Sequence, residues 1–315
     1  MLNQCSKTIF LFCFITVSLL FSLSLESKPR ACWVQDSTST SLLSVVKTEI
    51  LASPTQADTQ QIVTQQADIG SIILKDFSIA LNDAGVYFTQ PIRFQSHDWL
   101  IAAGTLGTSA ALLPLDESIN FFMLRNRSQA AGTASEIGRL YGELWVGTSL
   151  GAGLYAIGLA TQNPDVRITG RLALEALAFG GALNITLKAL FGRSRPYLEE
   201  GAFVFRPVQI TDSRMAFPSG HTTVAFALSA VLAERIGNPW IGAGLYALAG
   251  LTAVSRLYHT QHWASDVVLG AAIGAGAGLL VTHLERERMK AISEGSQVLV
   301  YPTFTGIGVT YRLGD

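Results

Sequence analysis

Three short clusters in this 315-residue sequence carry side chains that could do chemistry together. Lys188 and Arg195 close one apolar run, with Arg195 held immediately before Pro196. Residues 215–221 read Met-Ala-Phe-Pro-Ser-Gly-His and lead straight into another apolar run. Arg256, His262 and Asp266 flank the junction of two more. Pro218 fixes φ, Gly220 lets the main chain approach a ligand closely, and the N–H groups opening the next helix are free donors, so Pro218-Ser219-Gly220-His221 has the parts of an anion pocket. Lys188, Arg195 and Arg256 are cations without a matching cluster of carboxylates. Such a set suits a dianionic phosphoryl group whose charge spreads over three oxygens in the transition state. Any one of them alone could be a side chain snorkelling at a helix end; three in register with two histidines point to a site. His262 and Asp266 stand four apart. On one helical turn the carboxylate can reach an imidazole nitrogen, fix the tautomer and leave the other nitrogen nucleophilic.

These residues need elements to gather them, and six charge-poor segments are available: 99–115, 144–160, 172–187, 222–233, 240–254 and 267–282. At 1.5 Å per residue a 17-residue helix reaches about 25 Å, close to the roughly 30 Å hydrocarbon thickness, so several are borderline membrane spans. They are rich in glycine and alanine. Small residues let helices approach closely in a bilayer, and glycine at this density weakens helices in water, so the pattern favours spans over a soluble all-α core. Lys188 and Arg195 follow the third segment, His221 opens the fourth, Arg256 ends the fifth and Asp266 opens the sixth. Counting alternate ends, all fall at one edge of a six-helix bundle. Asp116, Glu117, Arg125 and Arg127 fall at that edge too, where they are expected to shape substrate entry. His259 is expected to be accessory or structural, and His97 and His283 lie outside the cluster.

Written as patterns, the clusters are K-x6-R-P, P-S-G-H and S-R-x5-H-x3-D, in that order between Lys188 and Asp266. In these the chain resembles the type 2 phosphatidic acid phosphatase (PAP2) superfamily, which includes bacterial class A acid phosphatases and vanadium haloperoxidases, with no substitution at the signature positions. The resemblance implies an all-α, PAP2-like bundle of six helices. It implies that Lys188, Arg195 and Arg256 hold phosphate, with Ser219 Oγ and the Gly220 N–H as added donors. It makes His262 the nucleophile that becomes phosphohistidine, Asp266 its orienter and His221 the general acid. No metal or other cofactor is implied, because the arginines supply the charge a magnesium ion would bring elsewhere. The expected function is a metal-independent phosphatase for lipid phosphomonoester or pyrophosphate groups, with a membrane and a phosphorylated lipid or isoprenoid as partners. The alternatives are a soluble exported class A-type acid phosphatase, if the helices form a water-soluble core, or a catalytically silent membrane scaffold or transporter. The latter would have no reason to keep His221, His262 and Asp266 at these spacings. A vanadate-dependent haloperoxidase would use the same pocket, but the compact motif region gives it no support.

Composition bounds the rest. A net charge of −1 offers no polycationic face for nucleic acid, and 49% hydrophobic against 14% charged residues, with mean hydropathy +0.35, averages over polar and membrane-like stretches. Of three cysteines, Cys5 and Cys13 fall in the leader and only Cys32 outside it, so neither a disulfide framework nor a thiolate metal site is on offer. Residues 1–25, with Lys7 before an uncharged apolar run, read as a signal peptide or an uncleaved anchor. Residues 26–97 read as a polar tether with a short helix over 44–51 and an amphipathic helix over 71–81. In the latter Ile72, Ile73, Phe77 and Leu81 lie to one side, packed on the domain or lying on a membrane. Residues 98–284 form the PAP2-like domain. The tail, 285–315, alternates Ile307, Val309, Tyr311 and Leu313 in the period of a strand that could form a hairpin with 298–301. Lys28 and Arg30 after the leader favour an outward-facing catalytic edge in a bacterial cell envelope, as does the resemblance. The oligomeric state leaves no trace in the sequence.

Overall fold

The computed structural model describes residues 68–208, 211–293, 298–303 and 306–311; the leader, the tether as far as residue 67 and the helix expected over 44–51 lie outside the described residues. Within them the chain forms nine α-helices: α1 (Ile69–Thr89), α2 (Ser96–Leu112), α3 (Asp116–Arg125), α4 (Gln129–Tyr141), α5 (Leu144–Ala160), α6 (Pro164–Phe191), α7 (Gly220–Ile236), α8 (Pro239–Tyr258) and α9 (Ala264–Ser293). Two strands follow, β1 (Val298–Thr303) and β2 (Gly306–Tyr311), paired antiparallel with Val298 opposite Tyr311 and Thr303 opposite Gly306.

Local chemistry sets the helix ends. Asn163 and Asn238 cap α6 and α8, each Oδ1 accepting from two first-turn amides, and Pro164 and Pro239 stand where a missing N–H costs nothing. α6 stops at Gly192, whose φ is +55°, and a Cβ there would lie 1.8 Å from the Arg206 carbonyl oxygen. Only glycine lets the following loop fold back over the helix end.

α7 is the axis of the bundle. Residues 222–231 are all buried, and α6, α8 and α9 pack around them, as a helix without a polar face requires. Leu172, Leu177 and Phe179 of α6 meet Leu228 and Val231 of α7 and Val281 of α9. On another side Phe226 packs with Ala249 of α8 and with Ala271 and Ala275 of α9. α5 lies on α6, α4 on α8 and α2 on α9.

Among the described residues four helical stretches are long and apolar enough to cross a membrane: Ser96–Arg125, running through α2 and α3, Pro164–Phe191, Pro239–Tyr258 and Ala264–Ile292. The other two expected spans differ. α5 is apolar but has only 17 residues, and α7, also 17 residues, is walled in by its neighbours. Large apolar side chains stand exposed around the bundle, among them Trp99, Leu100, Trp145, Ile157, Ile185 and Trp240. Water penalises such a surface and hydrocarbon accommodates it, so the architecture is that of a membrane protein.

α1 carries the expected amphipathic segment with its faces reversed relative to a helix docked in water. Ile73, Phe77 and Leu81 point outward, Phe77 at 61% exposure, while Asp76 and Asp83 are buried. The Tyr155 hydroxyl donates to Asp76 Oδ2 at 2.9 Å, and Arg288 Nη2 donates to Asp83 Oδ1 at 2.6 Å. Arg167 lies 3.5 Å from Asp76, and Arg171 lies 3.9 Å from Asp76 and 4.0 Å from Asp83. Arg171 also donates to Glu175 at 2.9 Å and to Glu285 at 2.5 Å. Buried charges persist where they are paired, so ion pairs fasten α1 to α6 and α9.

Candidate active site

Lys188 ends α6, His221 opens α7, Arg256 ends α8 and Asp266 opens α9, and hydrogen bonds tie these ends into one edge. Lys188 Nζ donates to the Met215 carbonyl. The Ser219 amide donates to the Asp266 carbonyl at 2.9 Å, and Trp263 Nε1 donates to the Ser194 carbonyl at 2.8 Å. The turn over 215–219, whose Phe217–Pro218 peptide is cis, thus lies between the end of α6 and the start of α9.

His262 is buried at 4% exposure. Its Nδ1 is 2.6 Å from the Ala216 carbonyl oxygen and 3.7 Å from Asp266 Oδ2. A carbonyl only accepts, so Nδ1 carries the proton and Nε2 keeps its lone pair. Burial, then the positive charges of Lys188, Arg195 and Arg256, hold the imidazole well below the ordinary histidine range. The ring is therefore neutral at neutral pH, the form a nucleophile needs. The tautomer expected from the i, i+4 spacing is present, but a main-chain oxygen makes the hydrogen bond that Asp266 was expected to make.

Asp266 is bound elsewhere. Its Oδ2 accepts from the Trp263 amide at 2.7 Å, capping α9, and its Oδ1 accepts from Arg193 Nη1 at 2.5 Å. Arg193, which the motif reading passed over, is fully buried. Its Nη2 donates to Asp116 Oδ2 at 2.8 Å, Nη1 to Ser265 Oγ at 2.7 Å and Nε to the Ala202 carbonyl at 2.9 Å. Phe205, Phe217 and Trp263 set their rings around the guanidinium. Asp116, expected near the substrate entrance, is instead a fully buried counter-ion that also accepts from the Ser265 amide at 3.0 Å. Glu117 braces the same loop by accepting from the Ala202 amide at 3.0 Å. Arg127 reaches the Tyr258 carbonyl at 2.8 Å, and Arg125 ends α3.

The cations keep different company. Arg195 donates through Nε to the Asp212 carbonyl at 2.8 Å, through Nη2 to Asp212 Oδ1 at 2.6 Å and through Nη1 to Gln261 at 2.5 Å. Arg256 is buried, and its Nε has no partner among the described residues. Ser219 is fully buried, its Oγ accepting from Thr222 at 2.9 Å, and Gly220 begins α7 beside Lys188. His221 Nε2 lies 3.4 Å from Glu143 Oε1. Burial first and Arg256 next push its imidazole down, and Glu143 opposes them. His259 sits 3.0 Å from Ser135 Oγ and 3.2 Å from Glu136, an accessory position beside Arg256.

All three motifs therefore meet at one end of the bundle: two histidines and three cations, with the carboxylate of the third motif turned to an arginine. The family model of the PAP2 superfamily matches residues 170–290. The lipid A 1-phosphatase of Porphyromonas gingivalis is 36% identical over 110 residues, 34% of this chain and 22% of that protein. The decaprenylphosphoryl-5-phosphoribose phosphatase of Mycobacterium tuberculosis is 29% identical over 151 residues, 48% of this chain and 78% of that protein. Among solved structures, LpxE of Aquifex aeolicus superposes with a TM-score of 0.42 at 22% identity, over 54% of this chain and 95% of that one. The chain spans less than half the length of the lipid A 1-phosphatases it matches. The match takes in every residue of the three motifs, and over residues 170–290 the chain is similar to the PAP2 superfamily.

Proposed function

We propose that the chain is a membrane-embedded phosphatase that removes a phosphomonoester or pyrophosphate group from a lipid or isoprenoid through a phosphohistidine at His262. One observation carries the reading: His262 Nδ1 lies 2.6 Å from the Ala216 carbonyl oxygen and donates its N–H there, so that Nε2 carries a lone pair among the charges of Lys188, Arg195 and Arg256. The three cations neutralise the transferring phosphoryl group, and the buried Ser219 hydroxyl and the Gly220 amide add donors. Nε2 attacks phosphorus while His221 gives a proton to the leaving oxygen; water then cleaves the P–N bond, with His221 taking the water's proton. Asp266 acts on this site through the helix start it caps and the Arg193 it holds.

The relatives that act on lipid A and on a decaprenyl-linked phosphate support an acyl or prenyl substrate. Exposed apolar side chains on the surrounding helices support delivery from the bilayer and weigh against a soluble acid phosphatase. The test is quenching of a single turnover of 32P-labelled substrate in alkaline detergent, followed by parallel acid and alkali treatment of the protein. An alkali-stable, acid-labile phosphoprotein is expected, absent in His262→Ala. Release of phosphate with no such species at any time point would exclude the covalent route.

A further inference from the structure

The turn between α4 and α5 brings an unassigned carboxylate to the acid end of the site. Glu143 precedes the first residue of α5, and its Oε1 is 3.4 Å from His221 Nε2. Arg139, one turn back on α4, donates to that same Oε1 at 2.7 Å and is itself held by Glu136 at 2.7 Å. The approach is enforced by the backbone. Gly142 presses on the first turn of α7, where an added Cβ would lie 2.9 Å from the His221 carbonyl oxygen and 3.0 Å from its Cβ. Any larger residue would push the turn, and Glu143 with it, off the histidine. The carboxylate therefore meets His221 because two helix ends are packed together.

We infer that Glu143 is the positioning residue of the acid: it holds the Nε2–H of His221, so that Nδ1 is the atom that hands its proton to the leaving oxygen and later takes one from water. This rests on the reading of His221 as general acid. The imidazolium formed before transfer has two N–H groups, one for Glu143 and one for the substrate. As the P–O bond breaks and the bond from His262 Nε2 to phosphorus forms, the Nδ1 proton moves to the departing alkoxide. His221 is left neutral with Nε2–H still on Glu143 and a lone pair on Nδ1, the form that accepts a proton from the attacking water. A phosphatase needs both forms of this ring in one cycle.

The charges facing His221 come from four elements. Arg256 on α8 and Arg195 on the loop disfavour its charged form, Glu143 favours it, and Lys188 on α6 stands beside Gly220 at the same helix start. Of these, Glu143 is the group that favours the imidazolium.

The experiment compares wild type, Glu143→Gln and Glu143→Asp in detergent, using the rate of the first step with nitrophenyl phosphate, whose leaving group needs no acid, and with an alkyl phosphate, whose leaving group does. In Glu143→Gln the aryl-to-alkyl ratio should rise by about ten- to a hundredfold, at or below the low end of the roughly 10²–10⁴-fold that loss of the acid itself costs. Glu143 favours the charged ring, so its removal lowers the His221 pKa. The basic limb of the alkyl-ester kcat profile should accordingly move to lower pH by about one unit. Glu143→Asp retains the charge and should hold the limb near its wild-type position. An unchanged ratio and limb in Glu143→Gln, with the His262 phosphoenzyme still formed, would overturn this inference and leave the covalent mechanism standing. Absence of the phosphoenzyme in wild type would instead remove the reading beneath it.

Discussion

The Ala216 carbonyl oxygen and His262 Nδ1 are 2.6 Å apart, and that pair sets which nitrogen of the ring is free. The acceptor belongs to the main chain, so no side-chain substitution removes it directly. It is aimed by the 215–219 turn, whose neighbouring carbonyl at Met215 takes the Lys188 ammonium. One peptide segment thus orients both the proposed nucleophile and a cation for the phosphate it attacks.

Asp266→Asn should therefore cost far less than a lost tautomer does. The change weakens the contact with Arg193 but leaves Ala216 holding Nδ1. A fall in kcat for nitrophenyl phosphate of roughly ten- to a hundredfold is expected, against the roughly 10⁴-fold typical when a triad carboxylate sets the tautomer. Steady-state kinetics decide the matter, and a loss of the larger size would return the orienting role to Asp266.

The two histidines should separate by leaving group. His262→Ala loses the nucleophile, so turnover should vanish for every ester. His221→Ala loses the proton donor, so nitrophenyl phosphate should still give a burst of nitrophenol while an alkyl phosphate gives almost none. Where water attack also needs His221, the burst ends in a stalled phosphoenzyme. Single-turnover product release with both esters is the measurement; equal losses in the two variants, or a burst from His262→Ala, would show the roles to be wrong.

Phosphatase activity should persist in EDTA and be blocked by vanadate, because Lys188, Arg195 and Arg256 are available for the charge of a transferring phosphoryl group. Activity lost to EDTA and restored by magnesium would contradict the assignment.

Arg193→Met should destabilise the folded protein strongly. The buried Asp116 and Asp266 would lose the cation between them, and breaking a buried pair costs about 3–5 kcal/mol. Arg193→Lys should recover little of this, since an ammonium cannot reproduce the planar fork that serves both carboxylates and Ala202. Arg193→Met combined with Asp116→Asn should be more stable than Arg193→Met alone, a coupling readable from thermal unfolding in detergent.

The motif residues were legible because each chemistry-bearing side chain sits next to a helix end, and alternate ends of long apolar runs fall on one side. Lys188, His221, Arg256 and Asp266 follow that rule. What the spacing could not carry was contact made by main chain or by loops. Ala216 contributes an oxygen that any residue possesses. Arg193 lies two residues before a motif arginine and looks like one more loop cation until the fold buries it, and Glu143 meets His221 only because α4 and α5 turn where they do. For α1, periodicity marked Ile73, Phe77 and Leu81 as one face without saying which medium that face meets. Asp76 and Asp83, seven residues apart on the other side, held that information, but only the arginines of α6 and α9 make it readable.

The reversed faces of α1 also couple its seating to the packing of three other helices. Asp76 is satisfied by Tyr155 of α5 and faces Arg167 of α6, whereas Asp83 pairs with Arg288 of α9. Buried carboxylates are costly without partners, so the seating of α1 and the packing of α5, α6 and α9 stabilise one another. Glu285 of that network lies about 28 Å along α9 from Asp266 at 1.5 Å per residue. α1 thus reinforces, from the opposite end of α6 and α9, the helix packing that builds the catalytic end.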